Sequence, residues 1–278
     1  MTIRIVTDSA CDLPDELVRA HGIEVVPLSI TFGDETLVDR EQLGVDEFWT
    51  RLTSMKGVPQ TAAPSIGAFE QAFRKLIAEG ATGIVCVNLA AALSATMQSA
   101  ELAARSVTEV PIEVIDSESA TIGVGLMAVA AARLAEQGAD LATVTAAVRS
   151  QVARTRIFGA LDTLEFLKRG GRVGAAKALV GEVLSVKPCI TVRGGKIDEA
   201  GKVRTRSKAL AWLLSALDEA KDPELLMVFH ALAEDAPEFV DKVQSRFPGV
   251  ELVTGVLGPV VGTHVGPRAI GVGWVESA

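Results

Sequence analysis

The sequence predicts an α/β protein with two domains, a parallel-sheet domain followed by a smaller α+β domain. The chain has 278 residues, which is more than one domain usually holds. Short β-branched runs alternate with helical segments up to about residue 154, and a hairpin pattern follows. The predicted domain limits are therefore residues 1–155 and 156–278, while a segment near residues 60–80 could pack with the second domain.

Three units of strand, polar loop and helix account for the first domain. Alternation of this kind implies right-handed crossovers and a parallel sheet with both faces covered. We expect the loops at the carboxyl ends of its strands to hold a ligand. The predicted strands are residues 3–6, 83–87 and 112–115, and the predicted helices are residues 14–20, 94–107, 121–137 and 141–154.

A glycine pair marks the change of pattern in the second domain. Gly194 and Gly195 separate two apolar runs, and consecutive glycines are typical of the tight turn of a β-hairpin. Parallel units do not need such a hairpin, so it indicates a different kind of domain. The predicted elements are strands 189–192, 196–197, 225–229 and 251–256 and helices 207–221 and 237–247.

The composition excludes nucleic-acid binding and predicts an aliphatic core. The formal net charge is -8 and the sequence pI is about 5.1, whereas nucleic-acid binding depends on Lys and Arg that neutralise phosphates. Hydrophobic residues make up 49% of the chain, but aromatic residues make up only 4% and tyrosine is absent. Aliphatic side chains must therefore fill the interior.

The cysteines and the apolar runs predict a cytoplasmic protein without stable membrane insertion. Cys11, Cys86 and Cys189 share no close spacing, which excludes a disulfide framework and a CxxC motif. Asp8 comes before any apolar stretch that could serve as a signal peptide. The longest apolar run, residues 120–132, is too short to span a bilayer.

The fingerprints of nucleotide-binding loops are not met. Gly195 and Gly201 are six residues apart where a phosphate-binding loop needs five, and Val203 stands where Ser or Thr would bind magnesium. A GxGxxA match at residues 123–128 follows the preceding strand after seven residues instead of directly. Close packing of a helix on the sheet explains that match better, so no cofactor is expected.

His264 lies in a run of residues that set the direction of the backbone. Two prolines and three glycines between residues 258 and 267 surround this one imidazole. Proline fixes the backbone where glycine frees it, which predicts a loop that lines a site rather than a helix. Such a loop can aim one polar group into an apolar cavity, and a fatty acid suits that arrangement.

Two other interpretations of His264 stay open on the residues alone. It could be a structural histidine that bonds to its own loop. It could also complete a hydrolase triad with Asp8 and Ser94, because triads are defined by geometry and not by chain order, although no GxSxG motif is present. The three histidines share no spacing that places two on one helix face, so no metal site is expected.

Four segments taken together resemble the DegV family. They are residues 6–9 with 12–14 (VTDS, DLP), residues 59–65 (PQTAAPS), residues 93–96 with 98–100 (LSAT, QSA) and residues 262–267 (GTHVGP). Residues 167–173 (LKRGGRV), 187–188 (KP) and 202–205 (KVRT) are similar to the second-domain signatures of the same family. No single segment is specific, but their order and spacing are, and the resemblance spans nearly the whole chain.

The resemblance implies a protein that binds a long-chain fatty acid. Some DegV proteins are the carrier subunit of a bacterial fatty-acid kinase and present the bound acid for phosphorylation of its carboxylate. By this resemblance Thr61, Ser94 and His264 match the positions that hold the carboxylate, and Arg172 and Arg204 match motifs that contact the partner kinase. The carrier would have no catalytic residue and no metal of its own.

The sequence departs from the family pattern near the expected headgroup. Ala62 and Ala63 stand where a Ser-Gln pair is usual, two alanines at 90–91 replace serines, and Ala95 replaces a glycine. We therefore expect fewer supporting polar groups there. Thr61, Ser94 and His264 remain, and two hydroxyls with one imidazole can donate to both oxygens of a carboxylate.

The acyl tail requires an aliphatic tunnel, which we expect between and within the two domains. The candidate lining residues are Ile30, Phe32, Leu126 and Met127. A basic band runs over residues 168–208, where eleven basic residues stand against three acidic ones, a local balance of +8. We expect most of these side chains to be solvated, while the band could steer an acidic partner or a nucleoside phosphate.

Overall fold

The computed structural model describes residues 2–179 and 186–277, which form thirteen strands and ten α-helices. The strands are β1 (Ile3–Asp8), β2 (Glu24–Val26), β3 (Ser29–Phe32), β4 (Glu35–Val38), β5 (Gln60–Ala62), β6 (Gly83–Asn88), β7 (Ile112–Asp116), β8 (Thr155–Ala160), β9 (Lys187–Arg193), β10 (Lys196–Val203), β11 (Pro223–His230), β12 (Glu251–Val256) and β13 (Ile270–Glu276). The helices are α1 (Asp15–Ala20), α2 (Val45–Ser54), α3 (Ile66–Ala78), α4 (Thr96–Ser106), α5 (Ile122–Glu136), α6 (Leu141–Arg154), α7 (Glu165–Arg169), α8 (Arg206–Ala216), α9 (Ala236–Arg246) and α10 (Pro259–Val265).

Four parallel strands form the first sheet, in the order β2-β1-β6-β7. Every residue of β6 is buried, as expected for a central strand that helices cover on both faces. Helices α3 and α4 pack on one face, and α5 and α6 pack on the other. The three predicted units are all present, and their ends differ from the prediction by at most two residues.

The second sheet has six strands in the order β10-β9-β8-β13-β11-β12. Among these strands only β11 and β12 pair in parallel. The predicted hairpin joins β9 to β10, and its turn residues Gly194 and Gly195 have φ of 52° and 72°. The mixed α/β architecture is confirmed, although this sheet is the wider one and belongs to the segment with fewer residues.

A third, small sheet lies between β2 and β6 in the chain and was not predicted. Its antiparallel strands have the order β4-β3-β5, and α2 follows β4. Strand β5 contacts α10, whereas α3 packs against α4 over the first sheet. The beginning of the segment near residues 60–80 therefore contacts the second part of the chain, whereas its helix packs over the first sheet. The domain limits themselves remain a prediction.

The run from residue 258 to 267 corrects a prediction. The sequence predicts a loop around His264, but Pro259–Val265 is the helix α10. Pro259 lies in its first turn, where the missing N–H would have no partner, and Gly266 follows its end with φ of 74°. Proline at the start and glycine just past the end are common helix boundaries, so the residues that indicated a loop mark a short helix.

Glycines let α5 approach its neighbours closely. A Cβ atom at Gly123 would lie 2.4 Å from Ile157 Cδ1, and one at Gly125 would lie 2.5 Å from Leu13 Cγ. The GxGxxA match therefore serves packing, as predicted. At fifteen residues α5 is the longest of the described helices, and none of them combines the length and apolarity needed to cross a bilayer.

One buried apolar cluster joins the first and second sheets. Leu28 and Ile122, which belong to the first 155 residues, share this cluster with Ile157, Phe229 and Val260 from the rest of the chain. Separate clusters lie under the outer helices of each sheet. The space between the two sheets is thus the natural place for an apolar ligand.

Candidate functional site

A mostly apolar cavity lies between the two sheets. It holds about 840 Å³ of unfilled space, part of it open to solvent. Six of its lining residues are polar, and one of these, Thr191, already donates its hydroxyl to Ile157 O at 2.7 Å. The apolar lining includes Leu28, Leu89, Leu161, Leu167, Ile190, Phe229 and Val260.

The four side chains expected along the tunnel lie elsewhere. Ile30 and Leu126 are buried in the central cluster, Phe32 packs against that cluster, and Met127 lies beneath the first sheet. None of the four is among the residues that line the cavity. The prediction placed them from helix and loop starts, but strands of the second sheet and α10 supply half of the lining residues.

The three residues expected to hold a carboxylate line this same cavity. Thr61 Oγ1 lies 3.0 Å from His264 Nε2, although 203 positions separate the two residues in the chain. Ser94 Oγ lies 2.8 Å from Thr96 Oγ1 and also accepts from Thr96 N. The structure therefore joins Thr61 directly to His264 and places Ser94 on the same wall.

Strand pairing and backbone hydrogen bonds position the hydroxyls of Thr61 and Ser94. Thr61 lies on β5, opposite Ile30 in the small antiparallel sheet. Ser94 lies in the loop between β6 and α4, and Asp8 orders the beginning of that loop by accepting from Leu89 N at 2.8 Å. The carbonyl of Leu93 accepts from Arg172 Nε at 3.0 Å, which ties the loop to the second half of the chain.

Close packing sets the position of His264. Helix α10 lies against α2 through Gly262, where a Cβ atom would be 2.6 Å from Phe48 and 2.8 Å from Trp49. Trp49 Nε1 also donates to Leu257 O at 3.0 Å, just before the helix begins. Because the two helices interlock at a glycine, α10 has little freedom to rotate, and its last turn holds the imidazole beside Thr61.

His264 is neutral at pH 7 in this environment. Burial lowers the pKa of His264 to about 4, and the nearby positive charge of Arg172 acts in the same direction. Nδ1 is buried and has no hydrogen-bond partner among the described residues. Because an unpaired N–H is rarer in folded proteins than an unpaired acceptor, the proton belongs on Nε2. The imidazole then donates to Thr61, whose own hydroxyl hydrogen stays available for a ligand.

Arg172 lies at this site, whereas its motif predicted only a contact with a partner kinase. Its side chain lines the cavity together with the three donors, and it is held by bonds to the carbonyls of Leu93 and Gly170. Sequence reasoning assigned Arg172 only to partner contact, and no local signal marks it as a cavity residue. Arg204 is exposed instead, directly after β10, and makes no hydrogen bond or ion pair with the rest of the described chain.

A surface depression adjoins the polar end of the cavity. Both spaces share Thr61, Arg172 and His264, and the depression is further lined by Gln60 and Arg169. A group bound at Thr61 and His264 can therefore be reached from outside without passing along the apolar part. Sequence reasoning did not predict this opening.

The alternative hydrolase triad does not form. Asp8 is fully buried, where it accepts hydrogen bonds from Ala10 N, Leu89 N and Asn88 Nδ2, and it makes none with His264. Since Nδ1 of His264 has no partner, no carboxylate orients the ring as a triad requires. Within residues 2–179 and 186–277, no group of His, Cys, Asp or Glu has the geometry of a metal site.

Fold and site together define a two-domain α/β protein with an apolar cavity that ends in neutral hydrogen-bond donors and one guanidinium. The chain belongs to the DegV family, because the family model described as "Uncharacterised protein, DegV family" matches residues 2–277. A DegV domain-containing protein from Streptomyces coelicolor is 38% identical over 274 residues, which cover 97% of this chain and 97% of that protein.

Solved structures of DegV proteins match over the full fold. A fatty-acid-binding DegV family protein from Thermus thermophilus has a TM-score of 0.90 and 31% identity, and the match covers 100% of both chains. A stearic-acid-binding protein from Eubacterium ventriosum has a TM-score of 0.89 and 30% identity, and the match covers 99% of this chain and 98% of that one. The resemblance inferred from the sequence motifs is confirmed.

Proposed function

We propose that this protein binds a long-chain fatty acid in the cavity between its sheets and holds the carboxylate at Thr61, Ser94 and His264. The observation that carries the proposal is that Thr61, Ser94, Arg172 and His264 line one mostly apolar space, where Thr61 bonds to His264. Fatty-acid binding by the relatives from Thermus thermophilus and Eubacterium ventriosum supports it.

Charge and hydrogen bonding at the polar end suit a carboxylate. A buried carboxylate is costly unless it is paired and hydrogen-bonded. The hydroxyls of Thr61 and Ser94 can donate to its two oxygens, and neutral His264 orients the Thr61 hydroxyl. Arg172 supplies the positive charge, so the imidazole does not need a proton for the site to balance the ligand.

The chemical step would belong to a partner kinase. In acyl phosphate formation, a carboxylate oxygen attacks the terminal phosphorus of a nucleoside triphosphate, and the bond to the nucleoside diphosphate breaks. We assign no catalytic residue or cofactor to this chain, since it has no nucleotide loop to hold the phosphates. The depression beside Thr61 and His264 would give the partner access to the carboxylate, and the fatty acid itself is the only bound ligand required.

Lipid identification tests the binding proposal directly. Gentle denaturation of the recombinant protein should release one long-chain fatty acid per chain, which mass spectrometry identifies. Delipidated protein should take up oleate or palmitate with the same stoichiometry. Recovery of empty protein that takes up neither acid would refute fatty-acid binding, and turnover of esters or acyl phosphates would favour an enzyme instead.

The two arginines are proposed to serve the partner step at different places. Arg204→Glu should leave lipid content unchanged and impair phosphorylation by a partner kinase, because the side chain is exposed and is not among the residues that line the cavity. Arg172→Glu should impair phosphorylation as well. Because Arg172 lies on the cavity wall, the new negative charge should also weaken binding of the carboxylate. A kinase that accepts either variant at the wild-type rate would remove that residue from the proposal.

A further inference from the structure

Asp12 links the first half of the chain to the helix that carries His264. It lies between β1 and α1 with only 6% of its surface exposed. Its Oδ1 accepts from Gly258 N at 2.9 Å, across 246 positions of the chain. Gly258 is the residue before α10, and Pro259 is the first residue of that helix.

This bond pairs one N–H at the start of α10, a helix that has no side-chain cap of its own. The N-terminus of a helix leaves N–H groups unpaired, and a side chain of the preceding residue usually accepts from one of them. Gly258 has no side chain to do so. A carboxylate at this end also interacts favourably with the helix dipole. Asp12 thus pairs the N–H of the residue before the helix, the group that a Glu in the first turn pairs in a capping box.

Asp12 is held in this place at a cost in free energy. Its φ is 48°, a region that residues other than glycine seldom occupy. Burial raises the pKa of Asp12 to about 7, with Arg40 lowering it and Asp39 raising it by smaller amounts. Its second oxygen has no hydrogen-bond partner among the described residues. A buried carboxylate with an unfavourable backbone conformation indicates that a specific contact fixes Asp12 at this position.

Asp12 also lies near Thr121, a residue of the cavity wall. Thr121 lines that cavity, and its hydroxyl is close enough to lower the pKa of Asp12, although it completes no hydrogen bond. Thr121 also has a positive φ of 52°. Asp12 therefore neighbours both Thr121 of the cavity wall and Gly258, which lies about 9 Å from His264 along the helix axis at 1.5 Å per residue.

We propose that Asp12 is a positioning residue for the headgroup site, which holds the start of α10 against the first half of the chain so that His264, at the far end of the helix, meets Thr61. Without this bond the Gly262 contact still holds the middle of α10, but its beginning is released and the helix can tilt so that the imidazole leaves Thr61. Ligand affinity then falls in proportion to the fraction of molecules that remain competent to bind. The effect on affinity rests on the proposed fatty-acid site, whereas the effect on His264 does not.

Two substitutions separate the hydrogen bond from the backbone strain. Asp12→Gly removes the carboxylate and tolerates the positive φ, and Asp12→Asn keeps an acceptor in a residue that also tolerates it. Loss of a hydrogen bond worth about 1 kcal/mol corresponds to about fivefold weaker oleate binding by Asp12→Gly, while Asp12→Asn should stay within about twofold of wild type. Asp15→Ala is the matched control, because that side chain is 72% exposed and pairs only with Arg40 among the described residues.

Nitrogen NMR of the imidazole reports the position of His264 without a ligand. The chain has three histidines, so substitution of His21 and His230 by Gln assigns the signals. Asp12→Gly should shift the Nε2 and Nδ1 resonances of His264 in the ligand-free protein, and Asp12→Asn should restore them. A purely structural role would lower the unfolding temperature without moving these resonances, and that result would overturn the proposal.

A measurement on the wild-type protein covers the case in which Asp12→Gly does not fold. The amide hydrogen of Gly258 should exchange slowly, because Asp12 accepts from it in a buried place. Exchange at the rate of an unprotected amide would overturn the proposal. If wild-type protein binds no oleate, the proposed function fails, but the imidazole resonances and the Gly258 exchange rate still decide the role of Asp12.

Discussion

A single hydrogen bond between Thr61 and His264 organises the polar end of the cavity. With the proton of neutral His264 on Nε2, the imidazole donates to Thr61 and the hydroxyl hydrogen of Thr61 is not used in this bond. Ser94, in the loop between β6 and α4, and the guanidinium of Arg172 complete the set of polar groups there. Loss of the Thr61 hydroxyl, the Ser94 hydroxyl or the Arg172 guanidinium would remove one donor from the cavity wall.

Removal of the Thr61 hydroxyl should weaken ligand binding. Thr61→Val keeps the shape and the β-branch that suit strand β5, but it leaves both the carboxylate and His264 without a partner. We expect oleate affinity to fall about tenfold, on the basis of about 1.5 kcal/mol for a hydrogen bond to a charged group. Calorimetric titration checks this, with Thr61→Ser as the control that retains the hydroxyl. Equal affinities of the Val and Ser variants would show that the hydroxyl does not contact the ligand.

The lowered pKa of His264 predicts a specific loss of stability in mild acid. Folded His264 titrates at about 4 and its ordinary value is 6.5, so the unfolded chain binds more protons between these limits. The contribution of His264 to the free energy of unfolding is therefore complete above pH 6.5 and decreases as the pH falls towards 4. Burial raises the pKa of Asp12 to about 7 and of Asp39 to about 6, and these carboxyls act in the opposite direction.

A comparison with His264→Gln isolates this contribution. Between pH 7 and pH 5 the wild-type protein should lose up to about 2 kcal/mol more than the variant, at 1.36 kcal/mol per pH unit below 6.5. Urea unfolding at the two pH values measures the difference, and the carboxyl contributions cancel because both proteins contain them. The same loss in both proteins would mean that His264 titrates near its ordinary pKa.

Among the elements, α10 is the one whose packing decides the site. It is only seven residues long, so its own hydrogen bonds cannot hold it in place, and tertiary contacts must do so. Asp12 holds its beginning, α2 holds its middle at Gly262, and Thr61 meets its last turn. The proline and glycine at its ends determine where it starts and stops but not where it points.

A methyl group at the contact of α10 with α2 should disturb both stability and binding. Gly262→Ala would bring Cβ within 2.6 Å of the buried Phe48, so one of the helices must move. We expect the free energy of unfolding to decrease by about 1–3 kcal/mol, the usual cost of overpacking a core, and oleate affinity to decrease as well.

Thermal unfolding and oleate titration of the same samples check this expectation. Gly67→Ala in α3 is the matched control, since its Cβ would have only Ser65 Oγ within 4 Å, at 3.8 Å. That variant should match wild type in both measurements. A Gly262→Ala protein as stable as Gly67→Ala would contradict the close contact.

At the scale of the whole molecule, the two sheets share one core. The cluster that contains Leu28, Ile122, Ile157 and Phe229 forms from both halves of the chain, and the ligand cavity lies beside it. Neither half can bury this surface alone. The predicted limits at residues 155 and 156 therefore divide the sheets but not the hydrophobic core.

We expect the full chain to unfold in one cooperative transition. Scanning calorimetry should show a single peak whose calorimetric and van't Hoff enthalpies agree, because exposure of the shared cluster in one half destabilises the other. Saturating oleate should move the whole peak to higher temperature. Two separate peaks, or a shift of only part of the heat absorption, would indicate that the halves fold independently.

The accuracy of prediction differed along the chain for physical reasons. The strand in residues 83–87 and its neighbours were found from apolar runs, because burial on both faces leaves a strong local pattern. The strands of the small third sheet are only three or four residues long, and partly exposed positions there weaken any period. Ile30 and Met127 are predicted to line the cavity but lie in buried clusters and are not among its lining residues. A position near a predicted loop or helix start does not determine which part of the core a side chain enters.

The sequence by itself determined the alternation that makes a parallel sheet, the Gly194–Gly195 hairpin, and the family motifs that contain Thr61, Ser94, His264 and Arg172. These features depend on neighbours a few positions away, where hydrophobic period and backbone freedom act. Only the tertiary structure decided that α10 points its last turn at Thr61, that His264 is neutral, and that Arg172 lines the cavity. Those outcomes depend on burial and on contacts between residues about 80 to 250 positions apart, which no local pattern encodes.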